Sequence, residues 1–177
     1  MTRFAALLAL ALAACASQPA ANNATQPEAR SEAQATTIPL VIRTAKTTHR
    51  FDVEVARTPQ QQEQGLMFRK SLGPDTGMLF PMDPPRTASF WMKDTLIPLD
   101  MLFIHTDGTI AFLKSNTEPY SRVPVSAGVP VAAVLELAGG RAAALGIKEG
   151  DSVAWGGCAV PQEKVETDLN FCPRPPP

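Results

Sequence analysis

A chain of 177 residues, 45% hydrophobic and 19% charged, has the length for one packed domain with tails and is too apolar to be disordered throughout. Its formal net charge of −1, or −2 if the first 14 residues are lost with Arg3, gives no electrostatic reason to expect nucleic acid or an anionic bilayer as partner.

Met1-Thr2-Arg3 is a short basic start, and the apolar run Phe4 to Ala14 falls short of the about 20 residues a membrane-spanning helix needs. It suits the apolar region of a secretory signal. The run ends in Leu12-Ala13-Ala14-Cys15, which resembles the lipobox of bacterial lipoproteins. That resemblance implies loss of residues 1–14, a diacylglycerol on the Cys15 sulfur, and the lipid bilayer as a partner through the acylated cysteine. Ala16 follows where an aspartate would favour the inner membrane, which implies the outer membrane of a bacterial cell envelope, facing the periplasm. The alternative is an ordinary signal peptide cut after Ala14, with Cys15 free. Residues 15–39 then read as the lipidated cysteine and a disordered tether, rich in Ala, Gln, Thr and Pro without apolar periodicity.

Cys158 and Cys172 are the remaining cysteines, and an even pair in an exported chain points to a disulfide. Closing a loop of about 15 residues would stabilise the fold by roughly 3 kcal/mol. A free pair or a thiolate metal site are the alternatives. No metal is expected, because no further cysteine exists for a four-thiolate site and neither His49 nor His105 is near in sequence.

A domain over 40–156 comes next, with 157–177 as a C-terminal extension pinned by that disulfide. Leu40 to Lys46 reads as a first strand. A turn at Thr47-Thr48-His49 leads to a second, in which Phe51, Val53 and Val55 alternate with polar positions. Thr58-Pro59-Gln60-Gln61 is a helix start, with Thr58 capping, Pro59 in the first turn and Gln61 completing a capping box. Arg69 beside the end of that short helix is a candidate anion ligand. Met78 to Phe80 reads as a short buried strand, and Pro81 to Pro85 as a rigid loop of the kind that rims pockets.

The stretch FWMKDTLIPLDMLFI, residues 90–104, holds most of the chemical character. Ala88 to Lys93 is expected as a strand and Asp94-Thr95 as a turn. Beyond them Leu99, Met101 and Phe103 share one face while Asp100, Leu102 and Ile104 share the other. A strand apolar on both faces is central and covered on both sides. Asp100 is then an anomaly, since a buried carboxylate is costly unless paired or hydrogen-bonded. Asp107-Gly108 marks a hairpin. Val131 to Leu137 is a strand with Glu136 opposite its apolar set, and Arg141 to Leu145 is a short helix ended by Gly146. Ser152 to Trp155 closes the domain. No repeat occurs. Short strands with Pro- and Gly-rich turns predict a mainly β fold, a compact β-sandwich or partly open barrel with one or two short helices.

Gly65-Leu66-Met67-Phe68-Arg69, Gly77-Met78-Leu79-Phe80, residues Phe90 to Asp100, Val134-Leu135-Glu136-Leu137 with Gly139, and Gly146-Ile147 with Gly150-Asp151 together resemble the DUF192 family, also called UPF0127. The resemblance covers roughly residues 41–155. It implies a compact, mainly β, often exported domain of unassigned biochemical function. Asp94 stands where the family commonly has asparagine, which adds a charge.

Familiar catalytic signatures are missing. The chain has no Gly-x-Ser-x-Gly elbow, no phosphate-binding Gly-rich loop and no dinucleotide fingerprint, so no cofactor is expected. A pair of carboxylates, Asp94 and Asp100, joined by Glu136, is the best enzymatic reading: an acid–base hydrolase or lyase. Against it, Asp100 can accept backbone N–H groups or pair with Arg69. The same neighbourhood also suits a binding pocket, with Trp91 as an apolar platform among Arg69, Lys93, Asp94, Thr95, Asp100 and Glu136. Alternation lets only one of Phe90 and Trp91 face inward, so an exposed Trp91 favours a site. The preferred reading is a non-enzymatic envelope lipoprotein that binds a small molecule, a glycan or a protein. The enzyme and a purely structural accessory protein are the alternatives.

Overall fold

The computed structural model describes residues 37–173. Cys15, the apolar leader, nearly all of the tether and the last prolines lie outside the described residues.

Period-two alternation builds β1 (Thr37–Arg43) and β2 (Thr48–Val55) into an antiparallel hairpin, with Leu40 and Ile42 set opposite Phe51 and His49. The turn falls at Thr44–Thr47, where the Thr44 hydroxyl accepts the Thr47 N–H. His49 therefore sits within β2, half-buried, instead of in the turn. Helix α1 (Pro59–Gln64) starts as the sequence predicts: Thr58 Oγ1 accepts the Gln61 N–H and Gln61 Oε1 accepts the Thr58 N–H. Gly65 ends it at φ 47, a left-handed conformation costly for a residue with a Cβ, and an added Cβ would come within 3.2 Å of the Phe80 ring.

β3 (Thr76–Thr87) is longer than the short strand predicted. It pairs with β6 (Pro130–Ala138) up to Pro81 and again at Arg86, and the ladder breaks between those two residues. Pro84 and Pro85 thus fall in a bulge inside a long strand, where their missing N–H groups cost no ladder bond, while Pro81 keeps its register with Ala133. β4 (Leu99–Ile104) is buried along its whole length between β6 and β5 (Ile110–Lys114). Helix α2 (Arg141–Leu145) and β7 (Ser152–Trp155) complete the domain.

The strands form one sheet of seven in the order β5-β4-β6-β3-β2-β1-β7, antiparallel except for the β2–β3 pair. The sheet curls until its two edges touch. The Val153 N–H donates to the Gly108 carbonyl at 2.8 Å, and the Ile110 N–H to that of Asp151 at 2.9 Å. The result is a half-open barrel with two short helices. Of the two architectures the sequence allows, this is the barrel.

Curling separates two apolar layers. One, holding Leu40, Ile42, Phe51, Leu79, Leu102, Ile104, Leu135 and Val153, draws on every strand and fills the interior. The other, holding Leu66, Met78, Phe80, Met92, Leu99, Met101, Phe103 and Val134, lies on the opposite face of β3, β4 and β6. Each fully buried side chain of this size contributes about 1.5–3 kcal/mol.

The extension from Gly156 folds back beside β1 and β7. Trp155 stacks on Phe171 with ring centroids 4.2 Å apart, and Cys158 and Cys172 form a disulfide with a Cα–Cα distance of 5.1 Å. The Arg50 and Arg57 guanidiniums each reach a carboxylate of the extension at 2.6 Å, Glu163 and Asp168 respectively.

Candidate functional site

Residues 88–98 cover the second apolar layer, and their placement differs from the strand predicted for Ala88 to Lys93. Only Phe90 pairs in β fashion, through two bonds with Val125. It is strapped down piecewise. The Met92 N–H donates to Ser121, the Tyr120 N–H to Thr95, and the Phe68 N–H to Asp94. Met92 is buried and takes a 3.1 Å contact from the Thr117 hydroxyl, which also donates to the Leu99 carbonyl. Phe90 packs edge-on against Phe80 and Phe103. Trp91, between these two inward residues, remains 50% exposed.

Trp91 stands on the wall of a cavity of about 400 Å³. Its apolar lining comes from Leu66 and Met67 after α1, Phe80 and Met82 of β3, and Phe90. The mouth carries Glu63, Arg86, Thr87, Ser89 and Lys93; of the Pro81–Pro85 run only Met82 lines the cavity, and none of its prolines does. Thr95 and Glu136 complete the lining.

Glu136 is the most unusual residue of the site. It sits mid-strand on β6, opposite Met78 of β3 on one side and Met101 of β4 on the other. It is 4% exposed, no hydrogen bond or ion pair is formed by its carboxyl group among the described residues, and the small surface it keeps opens on the cavity. Desolvation pushes its pKa up to about 8, so the group is largely protonated at neutral pH. β3 approaches β6 closely just here, since a Cβ on Gly77 would lie 2.5 Å from the Glu136 carbonyl oxygen.

Of the residues singled out in the sequence, Trp91, Lys93, Thr95 and Glu136 come together at this cavity, while Arg69, Asp94 and Asp100 do not line it. Arg69 is engaged by Glu54 in a two-point ion pair, with one contact at 2.6 Å. Asp94 takes φ 52 and turns the chain, its carbonyl accepting from Phe68. Asp100 faces the other side of the sheet, paired in register with Leu137 of the interior. Its Oδ1 accepts the N–H groups of Asn116 (2.7 Å) and Gly140 (2.9 Å), and its Oδ2 accepts that of Ala142 (2.7 Å). Two of those donors open α2, whose N-cap is Gly140 with no side chain to offer. Asp100 thus caps a helix 40 residues away. The Asp94–Asp100–Glu136 constellation is split across the sheet: Asp100 and Glu136 lie on opposite faces.

Cavity members that the sequence reading did not assign to a site include Glu63, Met67, Phe80, Met82 and Arg86. Their signal was slight, because tertiary packing of α1 and β3 against the 88–98 segment, not local periodicity, brings them to Trp91. Among the described residues no group of three or more His, Cys, Asp or Glu gathers as metal ligands would.

The comparisons agree with this architecture. The model of DUF192, described as "Uncharacterized ACR", matches residues 40–155. A candidate transcription regulator from Sinorhizobium meliloti 1021 is 43% identical, superposes with a TM-score of 0.66, and is matched over 67% of this chain and 93% of its own. A protein of unknown function from Novosphingobium aromaticivorans DSM 12444 is 40% identical, with a TM-score of 0.68 over 78% of this chain and 99% of its own. No curated protein matches significantly. With its family model spanning the whole barrel and its fold repeated in both structures, the chain belongs to the DUF192 family.

Proposed function

We propose that this protein is an envelope lipoprotein whose DUF192 domain binds a small molecule in the cavity beside Trp91. The observation that carries the binding reading is Glu136: a carboxyl 4% exposed, without a partner among the described residues, at a cavity large enough for a small ligand. An exposed tryptophan on the cavity wall adds a flat apolar contact. The hydrolase reading loses support because Asp100 is occupied by three backbone donors on the far side of the sheet. A regulator's role, named for the Sinorhizobium protein, finds no basic surplus here to support it. The lipobox-like Cys15 supports the anchored location.

The test is a screen of sugars, peptidoglycan fragments, small acids and small amines by thermal shift and tryptophan fluorescence. A saturable ligand is expected whose binding is lost in Trp91→Ala and retained in Trp155→Phe. A ligand unaffected by Trp91→Ala, or none across the panel, would refute the cavity as the site.

A further inference from the structure

We propose that the cavity selects a small organic cation, an ammonium or amidinium on an apolar body, which supplies the countercharge that the protein withholds from Glu136. This rests on the cavity being the binding site. The geometry is specific. Glu136 lies on β6, near the middle of the sheet, flanked in register by the thioethers of Met78 and Met101. Neither Arg69 nor Arg86 is paired with Glu136. Arg69 is clasped by Glu54, and Arg86 reaches toward the Gln62 side-chain oxygen at 3.4 Å. The other charged groups around the cavity are Glu63 from α1 and Lys93 from the segment over the sheet.

A fold that needed only to satisfy a buried carboxylate would place donors on it, as this one does for Asp100. Glu136 has none, so its acceptor capacity is kept for something that enters. At the mouth, the charges of Arg86 and Lys93 are offset in part by Glu63 and screened by solvent, and their repulsion toward an incoming cation is small. At the cavity floor a charge pair is screened far less, and a cation there gains most. Phe90, Trp91, Met67 and Met82 supply the aromatic and thioether surface that suits the apolar body of such a ligand.

The proton balance follows. At neutral pH the protonated carboxyl meets an ammonium, one proton leaves to solvent, and an ion pair of carboxylate and ammonium remains. Binding must then release protons and tighten with pH, up to about tenfold per unit below the Glu136 pKa.

Benzylamine, benzyl alcohol and benzoate, which share a ring and size, separate the possibilities when titrated calorimetrically into the full chain in detergent. Two buffers of different ionisation enthalpy count the protons released. Benzylamine is expected to bind at least tenfold more tightly than the other two, releasing close to one proton at pH 7. Glu136→Gln, which preserves shape, is expected to lose that preference and the proton release, with thermal unfolding checking its fold. Because the pH profile of the unaltered protein is an independent readout, a poorly folding variant does not shelter the idea. If benzyl alcohol or benzoate binds as well as benzylamine, or release is absent, the cation is wrong while the cavity stands. If none of the three binds, the cation proposal falls, and the wider panel decides the cavity separately.

Discussion

A carboxyl group on the apolar face of a central strand lowers its energy by protonation or by a partner, and Glu136 has no partner among the described residues. Its folded pKa of about 8 lies above the ordinary 4.5. The folded state therefore holds a proton that the unfolded state gives up between those values. Stability is intact below about pH 4.5 and declines as pH rises toward 8, by an upper bound of about 5 kcal/mol. Glu136→Gln should flatten that slope. Chemical denaturation of both proteins from pH 5 to pH 9 checks it, and parallel profiles would mean that the carboxyl is solvated or paired in solution. A residue that weakens the ligand-free fold fits a site kept for binding.

Among elements, β4 joins two tasks. Its Leu99, Met101 and Phe103 support the cavity's layer, and its Asp100 fixes α2 and the start of the 116–125 loop from the other face. Hydrogen bonds to a charged acceptor contribute about 1.5–3 kcal/mol each. Asp100→Asn retains at most part of the set, and its stability should fall by about 2–4 kcal/mol, read by urea unfolding. Ligand binding at Trp91 should persist at temperatures where the variant stays folded. Loss of binding with unchanged stability would instead restore Asp100 to the site.

How far these elements could be read from sequence depends on what makes them. Alternation in β2, β4 and β6 gave their faces, and the Thr58–Gln61 capping box gave the start of α1, because side chains make those features. Asp100 was legible as an anomaly but not in its partners, since backbone N–H groups leave no mark in a sequence. Residues 88–93 look like a strand by composition, yet pairing depends on a partner distant in sequence, and only Phe90 finds one. The Pro81–Pro85 run hid a long strand because a bulge lets the ladder resume at Arg86.

For the whole molecule, the barrel interior and the cavity use opposite faces of the same strands. This explains how a binding face can carry Glu136 and a half-exposed Trp91 while the interior holds the fold. The proposed anchor belongs to this scale as well. Incorporation of a labelled fatty acid that disappears in Cys15→Ser is the expected result, and undiminished labelling would dismiss the lipobox reading.

The seam where the sheet meets itself has one more effect. Only the start of β5 bonds to the β7 side, and further along the strand the Leu113 N–H is taken by the Glu149 carboxylate at 3.2 Å. A charged group thus covers a backbone donor that would otherwise offer itself to another chain. If the proposed lipid anchor concentrates copies in two dimensions, where they meet far more often than in free solution, such a guard favours separate molecules over strand-by-strand clustering.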